Sequence, residues 1–200
     1  MKIQAYIDVA SRPGGEVTLH DVMSLIVQTV HHASKHGKVA IGFPTMKSKP
    51  GLGDVVRVFA EDVDTLNKVM DFLAEDSRID EYAIVRRPKS VPEGVLEHEA
   101  FVYFRLSHRL SDARMKRLGN LGNQFQQFNL ESRSNRADRL NTVDKRGRNV
   151  SDIAFATIYS SSTQTQFKLH VERMDCEYSE GEPNGYGLSR VKNIIALPVF

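Results

Sequence analysis

The chain has a single cysteine, Cys176, among its 200 residues. One thiol can neither close an intramolecular disulfide nor supply a Cys-x-x-Cys zinc site, and this points to a reducing compartment. No apolar run approaches the roughly 20 residues that span a bilayer. The opening MKIQAYIDVAS lacks the apolar core of a signal peptide. A cytoplasmic protein with no membrane partner is expected. The chain also lacks a G-x-x-x-x-G-K-[ST] phosphate loop, a G-x-G-x-x-G between strand and helix, a G-x-S-x-G elbow and an H-E-x-x-H helix. Those absences weigh against nucleotide hydrolases and the common metalloproteases. GYGLS, residues 185–189, comes nearest to a glycine loop, but it is short and lacks the flanking elements.

Hydrophobic residues make up 40% and charged residues 26% of the chain, enough apolar material for a core without staples. The net charge of +2 conceals a division. Residues 101–150 hold eleven Lys/Arg against four acids, and residues 51–100 hold six against twelve. Nine of the eleven central cations are arginine, whose planar fork suits phosphate. A basic block in a nearly neutral protein suggests a polyanion docking on one side; the bland alternative is a solvated basic loop.

Along the chain, 3–9 alternates as a strand, and 18–36 has helical periodicity through Leu19, Val22, Met23, Ile26, Val30 and Ala33. Thr18 suits the N-cap of that helix and Gly37 its stop. Strands are expected at 38–44 and 54–60, a second helix at 62–75 and a strand at 82–88. The order βαββαβ is the ferredoxin-like motif, assigned to a domain 1–92. The remainder, 93–200, reads as a basic, strand-rich α+β domain. It has a strand at 98–107, a helix from Ser111, a short helix at 134–141, a hairpin of FATIYSSS and QFKLHVERM, and a last strand NIIALPVF. The fold class is α+β.

Three of the seven histidines crowd TVHHASKHG, residues 29–37. At about 100° per residue, His31 lies on one flank of the apolar stripe, while His32 and His36, spaced i, i+4, share the other. The pair has the spacing of two metal ligands, but no third ligand is identifiable, and a solvated helix end accounts for it equally. His31, at the edge of the stripe, is placed to be held and still reach solvent, as a general base requires; an ordinary boundary histidine fits the same position. YSSSTQTQF, residues 159–167, sets hydroxyls on alternating faces of a strand, with Ser160 and Ser162 on one side and Ser161 and Thr163 on the other. Such a row can orient a ribose hydroxyl or meet phosphate oxygens, and it is also common in plain hairpins.

VMSLIVQTVHHA followed by KVAIGFP, then FATIYSSSTQTQFKLHVER, NGYGLSR and a terminal PVF carry an end-to-end resemblance. The chain resembles the repeat-processing endoribonucleases of the type I-F CRISPR system. The resemblance implies a metal-independent, cofactor-free enzyme that cuts CRISPR repeat RNA 3′ of a hairpin by attack of a ribose 2′-OH, leaving a 2′,3′-cyclic phosphate. It implies His31 as general base, with the role passing to His32 if the register slips by one. It implies Ser160 as the residue that orients the 2′-OH, and Tyr186 as a further active-site residue. Ser162 and Thr163 fall beside the RNA, and Phe167 on a stacking platform for the last base pair. Arg105 takes a base-reading position, and the polar position after it is either Ser107 or His108. In place of the family's dense arginine helix the chain offers only Arg114, Lys116 and Arg117, interrupted by glycines. Arg133, Arg136 and Arg139 recur every three residues and are expected to supply the missing phosphate contacts. The implied partners are the crRNA 3′ hairpin and the other protein subunits of the type I-F surveillance complex. Two rival readings are a non-catalytic hairpin-binding subunit of that complex and a tandem ferredoxin-like domain for a small ligand.

Overall fold

The structure, a computed structural model, describes residues 1–46, 51–104 and 153–200. Strand β1 (Ala5–Ser11) buries Ala5, Ile7 and Val9 on one face, the period of two expected of a half-covered strand. It is central in the first sheet. β3 (Val55–Ala60) pairs antiparallel on one side, from Ala5↔Ala60 to Ala10↔Val55. β4 (Ala83–Val85) and β5 (Lys89–Ser90) pair antiparallel on the other. β2 (Ala40–Gly42) adds beyond β3, giving the order β2-β3-β1-β4.

Helix α1 (Leu19–Ala33) links β1 to β2, and α2 (Val63–Ala74) and α3 (Ser77–Tyr82) link β3 to β4. The Thr18 hydroxyl accepts from the Asp21 N–H, and the Asp21 carboxylate accepts from the Thr18 N–H, so two otherwise orphaned donors are satisfied reciprocally. Asp62 caps α2 through the Thr65 N–H at 2.6 Å. Helix α3, not expected from periodicity, is started by Asp76, which accepts from the Arg78 N–H at 3.1 Å. That helix takes residues up to Tyr82, so the strand expected at 82–88 shrinks to Ala83–Val85. The first helix ends at Ala33 and tightens into a 3₁₀ turn, Ser34–His36. Gly37 there is extended (φ 169°) rather than left-handed. Its value is space, since a Cβ at this position would lie 2.5 Å from Thr65 Cγ2.

The second sheet has the order β7-β8-β6-β9. β6 is His98–Phe104, β7 is Ala154–Ser160, β8 is Thr165–Asp175 and β9 is Leu197–Pro198. β7 and β8 form the expected hairpin, in register from Ala154↔Val171 to Ser160↔Thr165. The molecule is therefore mixed α+β, with two antiparallel sheets. Residues 1–103 and 154–200 belong to one compact unit, and one hydrophobic cluster runs through both sheets. Phe43 and Phe101 meet edge-on at 5.3 Å where the sheets join, with Leu197 beside them. The helices expected from Ser111 and at 134–141 lie outside the described residues. Among the described residues no helix is long and apolar enough to cross a membrane.

Phe101 is 1% exposed at this junction. Phe101→Ala is expected to cost about 3–5 kcal/mol, the range for truncating a buried Phe. Urea unfolding reads this as a lower midpoint at constant m value, and an unchanged midpoint would contradict the packing described.

Candidate active site

α1 buries more than the single stripe its periodicity suggests. Ser24, Val27 and Thr29 are buried besides Val22, Met23, Ile26, Val30 and Ala33, while Leu19 is exposed. The helix serves two surfaces, the first sheet and the outer edge of β7. Among the described residues β7 pairs only with β8, so its other edge presents backbone groups that need partners. Side chains of α1 supply them. The His20 Nε2 lies 3.0 Å from the Thr157 hydroxyl, and the Ser24 hydroxyl accepts from the Thr157 N–H at 2.9 Å. The Gln28 Oε1 accepts from the Tyr159 N–H at 3.0 Å while its Nε2 donates to the Tyr159 carbonyl at 2.9 Å. Positions 20, 24 and 28 advance by about 40° per step and form one row along the helix. His31 falls within about 20° of the mean direction of that row, and His32 is turned about 80° away.

The row ends at His31, which is met by the loop carrying Tyr186. The His31 Nδ1 is hydrogen-bonded to the Gly185 carbonyl oxygen. A carbonyl can only accept, so Nδ1 carries the proton and Nε2 of the neutral ring keeps its lone pair. The Tyr186 ring stacks at 4.3 Å and 30° from the imidazole, and Phe167 meets Tyr186 edge-on at 6.0 Å. Burial, with the neighbouring Tyr103, raises the Tyr186 phenol above its ordinary value. Tyr186 is thus a neutral hydroxyl near pH 7, a donor rather than a base.

Asn184 builds this loop. Its side-chain oxygen accepts from the N–H groups of Tyr186 (2.8 Å) and Leu188 (3.2 Å), and its carbonyl accepts from Gly187 (2.9 Å). Gly187 has φ +76°, and a Cβ there would sit 3.0 Å from Ile41 Cγ2, while its carbonyl accepts from the Ile41 N–H at 2.8 Å. Only glycine meets both the left-handed backbone and the close approach to β2. Ser189 then bonds the backbones of Phe101 and Tyr103. The loop is held by both sheets, and so is the carbonyl that orients His31.

Ser160 is the last residue of β7 and lies on its core face by alternation with Ala154, Ala156 and Ile158. Phe167 pairs with Ile158 on that face and is a diagonal neighbour of Ser160. The expected alternation of the hydroxyl row stops here, because 161–164 is a turn, with Gln164 at φ 50°. The chain curls back so that the hydroxyls of Ser160 and Ser162 are 3.1 Å apart and Ser160 also accepts from the Thr163 N–H at 3.4 Å. Thr163 bonds the hydroxyl of Thr165 at 2.8 Å. His31, Tyr186, Phe167 and Ser160 thus gather where α1 and β7 end.

The other two histidines of the cluster point to separate neighbours. His36 faces the Phe72 ring at 5.5 Å, and His32 stands 5.5 Å from the His31 ring. Among the described residues no three His, Cys, Asp or Glu side chains are grouped to hold a metal ion. Arg105, Ser107, His108, Arg114, Lys116, Arg117, Arg133, Arg136 and Arg139 lie outside the described residues. Sequence reasoning missed Ser24, Gln28, Asn184 and the Gly185 carbonyl. The available signals were the i, i+4 polar row 20/24/28 and the Asn-Gly turn pair at 184–185.

Among known protein families, the model described as CRISPR-associated protein (Cas_Csy4) matches residues 6–200 of the chain. No curated protein matches it.

Nitrogen-detected NMR of the imidazoles is expected to report His31 as the Nδ1–H tautomer when neutral; an Nε2–H tautomer would contradict the Gly185 bond. His32 gives a second outcome. Burial, then the charges of His31 and Lys35, hold its pKa below the ordinary value near 6.5. The unfolded chain therefore binds this proton at a higher pH than the folded chain, and stability falls as pH drops below about 6.5. Relative to His32→Gln, the wild-type Tm is expected to decline between pH 7.5 and 5.5; a constant difference would remove His32 from the linkage.

Proposed function

This chain belongs to the Csy4 family of type I-F CRISPR-associated endoribonucleases, which processes CRISPR repeat RNA, and from that premise we propose a metal-independent cut made 3′ of the repeat hairpin. His31 Nε2 takes the proton of the ribose 2′-OH upstream of the scissile phosphate. The freed 2′ oxygen bonds to phosphorus, and the bond from phosphorus to the 5′ oxygen of the next nucleotide breaks. That oxygen leaves and takes up a proton, so the upstream product ends in a 2′,3′-cyclic phosphate. Ser160 orients the 2′-OH, and Tyr186 fixes the imidazole plane and offers a neutral hydroxyl. Phe167 forms the platform for the last base pair, worth about 1–3 kcal/mol by stacking. Ser162 and Thr163 lie beside the RNA.

The observation that carries this reading is the bond from His31 Nδ1 to the Gly185 carbonyl, which in the neutral ring leaves Nε2 as a fixed acceptor. Residues 1–92 are the ferredoxin-like part in this reading, and 93–200 supply the RNA-binding part. Arg105, with Ser107 or His108, reads bases at the foot of the stem. Arg114, Lys116, Arg117, Arg133, Arg136 and Arg139 neutralise hairpin phosphates, supported by the excess of +7 over residues 101–150. The enzyme stays on the 3′ hairpin of its product and enters the type I-F surveillance complex with it.

His31→Ala is expected to slow cleavage by at least the 10²–10⁴-fold, roughly, that general base catalysis contributes. Hairpin affinity stays within about threefold of wild type, measured by binding an RNA blocked with a 2′-deoxyribose at the cut site. Wild-type cutting is expected to persist in EDTA and to leave a cyclic phosphate. Failure of the wild-type protein to cut its own repeat, with tight binding intact, would instead identify a non-catalytic hairpin-binding subunit.

A further inference from the structure

We propose that Gln28 is a positioning residue that sets Ser160 against His31 and so fixes the distance across which the proton is taken; this rests on the base and serine roles proposed above. The geometry is direct. Gln28 stands one helical turn before His31, and its amide holds both backbone groups of Tyr159, the residue just before Ser160. No other side chain of α1 bonds the strand this close to its end among the described residues, since Ser24 and His20 act two residues earlier at Thr157.

The Tyr159 side chain does not anchor the strand end, because it is 46% exposed. Beyond Ser160 the chain turns away, and among the described residues the Ser160 hydroxyl is bonded within that turn, to Ser162 and Thr163. On the α1 side, the position of the Ser160 backbone is therefore set by the two Gln28 bonds. An amide is the one side-chain group of this length that donates and accepts at once, as a neighbouring strand would. Glutamate of the same length keeps only the acceptor for the Tyr159 N–H. Methionine fills the same space with neither bond. The demand on geometry is steep, since a misplacement near 1 Å can cost about 10²-fold in rate.

The test is single-turnover cleavage of the host repeat hairpin by the full chain at saturating protein, beside binding of the 2′-deoxy-blocked RNA. Gln28→Met is expected to slow cleavage by about 10²-fold with RNA affinity and Tm near wild type, and Gln28→Glu to fall between the two. The pH at which cleavage is half-maximal stays at the wild-type value, because His31 keeps its Gly185 partner. Gln28→Met cutting at the wild-type rate would overturn the proposal, as would a loss of rate matched by an equal loss of RNA affinity. An inactive His31→Ala beside an unaffected Gln28→Met overturns the positioning role alone. A His31→Ala protein that still cuts overturns the base assignment and the positioning role with it.

Discussion

The site depends on a match of lengths between a helix and a strand edge. Four residues of α1 rise about 6 Å, and two residues of β7 about 6.6 Å. Side chains spaced i, i+4 can therefore serve backbone groups spaced i, i+2, and Ser24 and Gln28 do so at Thr157 and Tyr159, while His20 one turn earlier meets the Thr157 hydroxyl. The remaining mismatch grows by about half an ångström per rung, which limits such a ladder to a few turns. It stops where both elements stop, at Ala33 and Ser160. The groups that gather beyond the last rung are His31 and the hydroxyl turn. An exposed strand edge, ordinarily an aggregation liability, is used here to register one element against another.

How much of this was legible in the sequence follows from the range of each interaction. The helix, its Thr18 cap and the flank occupied by His31 are local properties, set by periodicity and by residues three or four apart. The structure has them as read. The hairpin was legible because polar turn residues separate two strands of matching period. Gln28 was not, because its partner lies 131 residues away and is a backbone group with no side-chain signature. A glutamine on a helix flank looks like solvated surface until the sheet edge beside it is known. Val27 is buried for the same reason, since the helix packs on two surfaces and its apolar face is wider than a single stripe. Short elements were misjudged where a cap competed with a β pattern. Asp76 starts α3 inside a segment whose next residues, Tyr82 to Val85, favour a strand.

Holding the loop from both sheets has an energetic logic. A general base on an unrestrained side chain would be ordered only when RNA binds, and the ordering entropy would oppose catalysis. Here Asn184 closes the turn, Gly187 permits the approach to Ile41, and Ser189 ties the loop to β6. The carbonyl of Gly185 is thereby set before any ligand arrives. Tyr186 adds a ring on one face of the imidazole, so that rotation about the terminal torsion of His31 is limited by stacking as well as by its hydrogen bond.

The identity of the Nδ1 partner also matters electrostatically. In many hydrolases a carboxylate orients the histidine and offsets the imidazolium that forms. A carbonyl orients the ring equally well but brings no negative charge. If the site receives a phosphodiester as proposed, a fixed carboxylate within a few ångströms would repel the substrate, and the low effective dielectric of a covered site would enlarge that repulsion. The neighbouring His32 fits the same logic from the other side. Its depressed pKa keeps it neutral near pH 7, so it does not add a second cation beside His31 that would hinder His31 from accepting a proton. In the function proposed here, attraction for the phosphates falls to the arginines of the 101–150 block, away from His31 in sequence. That proposal gives binding and proton transfer to different residues. The hydrogen-bond and ring contacts of the proposed base among the described residues, the Gly185 carbonyl, the Tyr186 ring and the His32 ring, include no carboxylate, Lys or Arg.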